Sequence, residues 1–258
     1  MENDPFDVLV QGSFGPDALR VNWTSEMRTT TPDLERLIAQ AWRRKQRQVQ
    51  ARGGRLFPGP LCRLVGYRVQ DGALWLSLGP TDYRDLVGTN LSHPELWRSL
   101  GFQCFSNALA VHASVTTADH LLLIYRRSTS LADHPGYYDV CGGHLDPVLD
   151  QRDSVPDPYA AMLRELREET GIPPDRVRSA ICRGLVRSRL AFKPDLVFDV
   201  ATSLSSAELS SLPLDEEHAG LTFLPDQPDA IARFLRDHPT GLAPAGNACL
   251  QLHHGARQ

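Results

Sequence analysis

Residues 140–174 read VCGGHLDPVLDQRDSVPDPYAAMLRELREETGIPP, and the second half of this stretch has the pattern of a helix with marked ends. Asp157 suits the N-cap, and Pro158 suits the first helical position, where the missing N–H is not needed. Gly171 suits the left-handed residue that follows a helix, and Pro173 prevents continuation. An amphipathic helix is therefore predicted here, and its apolar stripe consists of Met162, Leu163 and Leu166.

Three glutamates on this helix, Glu165, Glu168 and Glu169, are spaced so that they project from one side. Like charges at that spacing cost about 0.2–0.5 kcal/mol per pair, and the last helical turn favours cations rather than acids. Arg164, four residues before Glu168, offsets only part of this cost. A hard divalent cation would remove the conflict, because Mg²⁺ takes carboxylates, waters and substrate phosphates as ligands. The alternative is a solvated charged face.

The residues around these acids resemble a known family. Residues 164–172, RELREETGI, fit the REUxEExGU core of the Nudix box, in which U is a bulky aliphatic residue. Residues 142–147, GGHLDP, are similar to the loop that opens the same box. The chain thus resembles the Nudix hydrolases, which are metal-dependent enzymes that cleave diphosphates linked to another moiety. The resemblance implies an α/β protein, with an α/β/α sandwich built on a mixed β-sheet.

The resemblance has one departure, which lies between the loop and the helix. Gly143 and Arg164 are seven residues further apart than in the family pattern, and the loop glutamate of that pattern would fall on Leu149. Asp150 and Asp153 are the two candidates to replace it. The acidic half of the box is intact, so activity is expected.

A second motif narrows the resemblance to one subfamily. Residues 81–90 read TDYRDLVGTN, which is similar to a stretch of the Nudix hydrolases that act on UDP-glucose and UDP-galactose. Members of that subfamily carry an extension before the Nudix domain. The resemblance therefore implies a smaller α+β N-terminal domain over residues 1–100 and a Nudix domain over residues 101–258. The alternative for residues 81–90 is an ordinary inter-domain connection.

The resemblance also implies roles for particular side chains. A Mg²⁺ ion, with Mn²⁺ as the alternative, would be held by the carbonyl of Gly143 and by Glu165, Glu168 and Glu169. Arg164 would orient Glu168 and Glu169. Glu217, in the sequence DEEH, would be the base or a further metal ligand, with His218 as an alternative base and a non-catalytic acidic loop as the other interpretation.

Substrate contacts are expected from two groups of residues. The loop at 81–90 offers ring stacking and polar contacts for a nucleotide-sugar through Tyr83, Arg84, Thr89 and Asn90. Basic side chains near the metal would clamp the diphosphate, and the candidates are Arg187, Arg189 and Lys193, with Arg127 as a further substrate contact. For Arg187, Arg189 and Lys193, a charged loop without a ligand is the alternative.

Composition restricts the class of protein. The net charge of −4 argues against a dedicated partner among nucleic acids or membrane surfaces. The five cysteines have no CxxC spacing, which favours reduced thiols in the cytoplasm. No apolar run is long enough for a membrane span. A helix is predicted over residues 32–50, and we interpret the basic run at its end as a solvated C-terminus, with a phosphate or nucleic-acid contact as the alternative.

The predicted function is Mg²⁺-dependent hydrolysis of a UDP-sugar to UMP and a sugar 1-phosphate. The partner is a small-molecule nucleotide-sugar, and the sequence indicates no oligomeric state. Two alternatives remain open. One is a Nudix hydrolase for another diphosphate such as ADP-ribose, and the other is a non-catalytic protein that binds nucleotide-sugars.

Overall fold

The computed structural model describes residues 4–128, 136–212 and 218–255. Short strands and a few long ones alternate with helices along the chain. In chain order the strands are β1 (Phe6–Phe14), β2 (Leu19–Trp23), β3 (Pro60–Gln70), β4 (Ala73–Asp82), β5 (Ala110–Thr116), β6 (Leu121–Arg127), β7 (Tyr138–Asp139), β8 (Cys141–His144), β9 (Gln151–Arg152), β10 (Val155–Pro156), β11 (Val177–Ser188), β12 (Pro194–Thr202) and β13 (His218–Pro225).

The helices include two long ones that the sequence predicts, at 32–50 and 158–170. In chain order they are α1 (Pro32–Gln50), α2 (Tyr83–Leu86), α3 (Trp97–Leu100), α4 (Pro158–Thr170), α5 (Ser206–Ser210), α6 (Pro228–Asp237) and α7 (Pro244–Gly255). A π-helical turn follows α2 at Val87–Leu91, and 3-10 turns lie at Pro94–Leu96, Phe102–Cys104 and Pro174–Arg176.

The large sheet is mixed and has helices on both faces, as predicted. Its strand order is β1-β11-β12-β5-β6-β13, with β8 paired to β5 and β7 paired to β6. Only β12 and β5 run parallel among these pairs of described strands. Met162 and Leu166 of α4 pack on one face, in the same core cluster as Phe198 of β12. Ile231 of α6 and Leu250 of α7 belong to the cluster on the other face.

Helix α7 is fixed to the large sheet by a buried charge cluster. His253 lies between two carboxylates, with Nδ1 2.8 Å from Asp199 of β12 and Nε2 2.8 Å from Asp226, which follows β13. Arg183 of β11 makes a 2.5 Å ion pair with the same Asp199. Because each buried charge has a partner, the cluster can stabilise the position of α7.

The N-terminal residues contribute to more than one sheet. Strand β1 pairs with β11 at the edge of the large sheet, whereas β2, β3 and β4 form a separate three-stranded sheet. In that sheet β3 and β4 form a hairpin, and Asp71 and Gly72 at its turn, a residue pair typical of hairpin turns, both have positive φ. The division of the chain into residues 1–100 and 101–258 stays a prediction.

Two other expectations can be compared with the structure. All five cysteines are free and buried, as the absence of CxxC spacing predicts. None of the helices in the described part of the chain combines the length and the hydropathy needed to cross a membrane.

Candidate active site

Helix α4 is held in place at both ends and along its buried side. The Asp157 side chain accepts a hydrogen bond from the Tyr159 N–H at 2.9 Å, and Gly171 takes the left-handed conformation with φ of 71°. The Tyr159 hydroxyl donates to the carbonyl of Phe14 and accepts from the N–H of Cys182 at 3.1 Å. These two bonds connect the helix to β1 and β11, so the acids of α4 have a fixed relation to the large sheet.

Two of the three glutamates are directed at the glycine pair of β8. A Cβ atom on Gly143 would lie 2.1 Å from Oε1 of Glu165, so only glycine allows this approach. The N–H of Gly142 donates to Oε2 of Glu169 at 3.0 Å. Burial raises the pKa of Glu165, against the lowering effect of Arg164, and raises the pKa of Glu169 well above its usual range. Both carboxylates therefore lie where a positive charge would stabilise them.

Glu168 differs from its two neighbours, because its side chain is 58% exposed. Within the described ranges, no three acidic, histidine or cysteine side chains already form a closed metal cage. Mg²⁺ does not require such a cage, since it commonly uses one or two carboxylates together with waters and substrate phosphates. The oxygen-rich donor set of Glu165, Glu169 and the β8 backbone is thus compatible with a hard divalent cation.

Arg164 connects the acidic helix to the loop that carries the insertion. Its Nε donates to Oδ1 of Asp150 at 2.7 Å, and its Nη2 donates to Oδ2 of Asp150 at 2.9 Å and to the carbonyl of His144 at 3.1 Å. Its Nη1 lies 2.9 Å from Glu165 and from Glu168. The Asp150 carboxylate raises the pKa of Arg164 further. This pair is a bidentate, charge-assisted contact of the strong kind.

The structure distinguishes the two acids considered for the missing loop glutamate. Asp150 is 1% exposed and also accepts from the N–H of Asp146 at 2.8 Å. Asp153 is exposed and has a positive φ in the turn between β9 and β10. The insertion is therefore a small hairpin, and Asp150 at its base contacts Arg164.

One expectation about Arg164 differs from the structure. Arg164 contacts Glu165 and Glu168, but Glu169 is bonded to Gly142 instead. The reason is helix geometry, because residues four apart are neighbours on the helix surface, whereas a residue five positions on has turned away.

The basic residues predicted as a clamp all have acidic partners in the structure. Arg127 is 3.1 Å from Asp139, and Arg187 is 3.0 Å from Asp7. Lys193 makes an ion pair with the buried Asp195. The Nε atoms of Arg127 and Arg187 are buried without a hydrogen-bond partner among the described residues, so both side chains keep donor capacity.

Two histidines, His112 and His144, lie beside the glycine pair, and the sequence analysis assigned a role to neither. A Cβ on Gly142 would lie 2.5 Å from the ring of His112, whose Nδ1 is 3.5 Å from Asp195. Burial lowers the pKa of His112 and lowers that of His144 well below the usual range. His144 was visible in the GGHLDP motif, but His112 could be placed only by its pairing with Gly142 across β5 and β8.

The loop between β11 and β12 also carries a feature that the sequence did not reveal. Phe192 stacks on Trp97 with ring centroids 4.8 Å apart and planes 2° apart, and Arg187 lies over the same indole at 5.2 Å. Phe192 has a φ of +52°, which is strained for a bulky residue. The stack therefore holds the residue next to Lys193 in an unusual backbone conformation.

Residues 81–90 behave differently from the expectation of direct substrate contacts. Thr89 and Asn90 are fully buried, and their polar groups are used inside the protein. Asn90 accepts from the N–H of Asn107 at 3.0 Å and donates to the carbonyl of Ala191 at 3.0 Å. Thr89 accepts from the N–H of Ser106 at 3.1 Å. These bonds support the β11–β12 loop and the chain before β5, so the structure gives the two side chains contacts inside the protein, and their role in substrate binding stays a prediction.

The other two predicted substrate contacts in residues 81–90, Tyr83 and Arg84, contact helix α1. Tyr83 lies edge-on to Trp42 with ring centroids 6.2 Å apart. Arg84 is 3.3 Å from Glu35, which also pairs with Arg28 at 2.5 Å. The structure thus brings Tyr83 and Arg84 together with α1, and their predicted role in substrate binding stays a prediction.

The predicted acid Glu217 lies outside the described residues, as do Asp215 and Glu216. The backbone of His218 begins β13 and is paired with Arg127 of β6. The role of Glu217 as base or metal ligand stays a prediction.

Comparison with known proteins gives a consistent assignment. The NUDIX domain family matches residues 106–236, just over half of the chain. Nudix hydrolase 9 of Arabidopsis thaliana is 29% identical over 216 residues, which cover 70% of this chain and 67% of that protein. The mouse protein named uridine diphosphate glucose pyrophosphatase NUDT22 is 29% identical over 230 residues, 78% of this chain and 73% of that protein. Its human counterpart is 31% identical over 180 residues, 60% of this chain and 59% of that protein. With α4 and its glycine pair inside the matched range, this chain belongs to the NUDIX family.

Proposed function

We propose that this protein hydrolyses UDP-sugars, with UDP-glucose and UDP-galactose as substrates and UMP and a sugar 1-phosphate as products. The observation that carries the proposal is the extent of the similarity. The match to the mouse UDP-glucose pyrophosphatase covers 78% of this chain, so it continues well beyond residues 106–236. Selectivity for one diphosphate has to come from groups added around a common catalytic core, and the similarity includes the region that precedes that core.

The acidic helix supports a metal-dependent reaction. Nudix hydrolases generally use divalent metal ions, and we propose Mg²⁺, with Mn²⁺ as the alternative. The residues that would hold it are Glu165, Glu168, Glu169 and the carbonyl of Gly143. The raised pKa values of Glu165 and Glu169 favour this proposal, because a cation would keep both carboxylates ionised. When bound, such an ion supplies charge neutralisation for a diphosphate and activation of water.

The protein's own residues would then position the reactants. Arg164 fixes Glu165 and Glu168 and is itself fixed by the buried Asp150. Arg127, Arg187 and Lys193 would supply positive charge for the diphosphate. Glu217 is proposed as the residue that accepts a proton from the attacking water or as a further metal ligand. We place the reaction in the cytoplasm, where the five free thiols would persist.

The test is a panel of diphosphates assayed with Mg²⁺, with Mn²⁺ and with EDTA. UDP-glucose and UDP-galactose should give UMP and sugar 1-phosphate only when a divalent ion is present. A higher kcat/KM for ADP-ribose would make the UDP-sugar assignment wrong. Tight binding of UDP-glucose without turnover under any metal condition would instead identify a non-catalytic nucleotide-sugar-binding protein.

A further inference from the structure

A pocket lies at the C-terminal half of α1, outside the candidate active site. Hydrogen bonds from the N–H groups of Arg52 and Gly54 to the carbonyl of Val49, at 3.0 and 3.1 Å, reverse the chain after the helix. The returning segment and the helix together border an open surface pocket of about 450 Å³, a volume in the usual range for small-molecule sites. Its walls include Arg43, Gln46, Arg47, Gln50, Arg55 and Phe57.

Three arginines of this pocket have no counter-charge within the described part of the chain: Arg43, Arg47 and Arg55 form no ion pair there. By contrast, Arg36 on the same helix contacts Asp33. Three guanidinium groups around one cavity repel one another unless an anion lies between them. The protein as a whole is acidic, with a net charge of −4, so this concentration of positive charge is local.

The helix dipole does not explain the cluster. A cation in the last turn of a helix interacts favourably with the C-terminal carbonyls, and Arg47 is the residue of α1 in that position. Arg43 lies one turn earlier, and Arg55 lies beyond the end of the helix. A solvated helix end therefore accounts for one of the three charges.

The rest of the wall is suited to a ring. Phe57 is 69% exposed, although an isolated aromatic ring gains by covering its face. Gln46 and Gln50 are four residues apart, so their amide groups share one side of the helix and can donate and accept hydrogen bonds. An aromatic face, amide groups and three unpaired guanidinium groups are the contacts that a base and its phosphates require. We propose that this pocket binds a nucleoside polyphosphate.

The test is calorimetric titration of the full chain in EDTA, which prevents metal-dependent turnover, with ADP and inorganic pyrophosphate as separate probes. The double variant Arg43→Glu, Arg47→Glu should bind both probes at least about tenfold more weakly, because charge-assisted hydrogen bonds are lost. Phe57→Ala should weaken the binding of ADP and leave that of pyrophosphate unchanged. Arg44→Glu is the matched control, because Arg44 is exposed on the same helix but does not line the pocket.

The two readouts keep this inference separate from the proposed function. Hydrolysis of UDP-glucose should be unchanged in the double variant, so a failed hydrolysis assay would not affect the binding result. Should the double variant unfold, Arg43→Gln with Arg47→Gln makes the same test without charge reversal. Absence of ADP binding to the wild-type chain at millimolar concentration would overturn the proposal. If Arg44→Glu weakens the binding of ADP as much as the double variant does, the proposal is also wrong. An affinity for oligoadenylate that exceeds the affinity for ADP and rises with length would instead indicate a nucleic-acid contact and would overturn the proposal.

Discussion

Glu169 is a partly buried carboxylate, and burial disfavours its charged form. A substitution at this position therefore tests the proposed metal site. Glu169→Gln keeps the shape of the side chain and removes one charge from the proposed metal site. Turnover should fall on the order of a thousandfold, because the loss of a coordinating oxygen costs several kcal/mol of transition-state stabilisation. Without metal, the thermal stability should hold or rise, because burial already disfavours the ionised carboxylate. Steady-state kinetics with Mg²⁺ and thermal unfolding in EDTA measure the two effects, and wild-type turnover would refute the metal assignment.

Asp150 gives a second prediction at the scale of single residues. Asp150→Asn removes the charge of the carboxylate that receives two hydrogen bonds from Arg164, so the guanidinium group loses its fixed orientation. We expect kcat to fall by about 10–100-fold, the usual effect of losing a partner that orients a metal ligand. Asp153→Asn, in the exposed turn of the same insertion, is the control and should behave as wild type. If the two variants have equal activity, the insertion does not support the site through Asp150.

Some of these residues could be assigned from the sequence, and others could not. The ends of α4 were predictable, because Asp157, Pro158 and Gly171 act on backbone groups that lie next to them in the chain. The partner of Arg164 was not predictable, because the choice between Asp150 and Asp153 depends on the fold of the insertion. His112 was invisible, since its position beside Gly142 arises from strand pairing rather than from any local pattern.

At the scale of elements, the motif at residues 81–90 supports other elements from within the protein. Asn90 connects the β11–β12 loop with the chain before β5, and it does so across 101 residues of sequence to Ala191. Local sequence carries no signal for such a contact, and we expected Asn90 in the substrate site from the chemistry and the resemblance of residues 81–90. The strands β3 and β4 and helix α1 were predictable because their periodicity and turns are local. Helix α5 was missed because it has only five residues, and strand β13 was missed because Gly220 and Pro225 weaken its strand pattern.

Asn90→Ala tests this structural role. It leaves the N–H of Asn107 and the carbonyl of Ala191 without their partners, which should lower the free energy of unfolding by about 3 kcal/mol. The loop before Lys193 loses its hydrogen bond to Asn90, so kcat/KM for UDP-glucose should fall about tenfold. The same factor should apply to any second diphosphate that the protein hydrolyses. Asn22→Ala, at an exposed position of β2, is the matched control.

The two substrates distinguish support from recognition. Selective loss of UDP-glucose hydrolysis in Asn90→Ala would show that the motif contacts the nucleotide directly. An equal loss would agree with the bonds seen in the structure. Urea unfolding of both asparagine variants supplies the stability difference independently of the kinetics.

At the scale of the whole molecule, the cluster around His253 makes stability depend on pH. Burial acts to lower the pKa of His253, but the hydrogen bonds with Asp199 and Asp226 outweigh it and raise the pKa to about 9. In the unfolded chain a histidine titrates near pH 6.5. The contribution of the His253 cluster to the free energy of unfolding is therefore complete below about pH 6.5, and it disappears as the pH rises through about 9.

His253→Gln should remove this dependence. The free energy of unfolding of the wild type should exceed that of the variant most at pH 6, and the difference should shrink by about 3 kcal/mol by pH 10. Urea unfolding at several pH values between 6 and 10 measures it. His93→Gln, where the imidazole lies 3.3 Å from the exposed Glu95, is the control and should keep the pH profile of the wild type. A constant difference across this range would mean that His253 is not charged in the folded protein.

The pairing of β1 with β11 has a consequence for how the protein is made. Asp7 and Arg187 are 180 residues apart, yet they form one ion pair in adjacent strands. During synthesis β1 leaves the ribosome long before β11 has been made. The backbone N–H and C=O groups of β1 therefore stay unpaired until β11 emerges. Nascent chains arrested before residue 188 should be cleaved by proteases near β1 and held by chaperones, whereas released full-length chains should be protected. Strand β1 therefore joins the large sheet only after β11 has been synthesised.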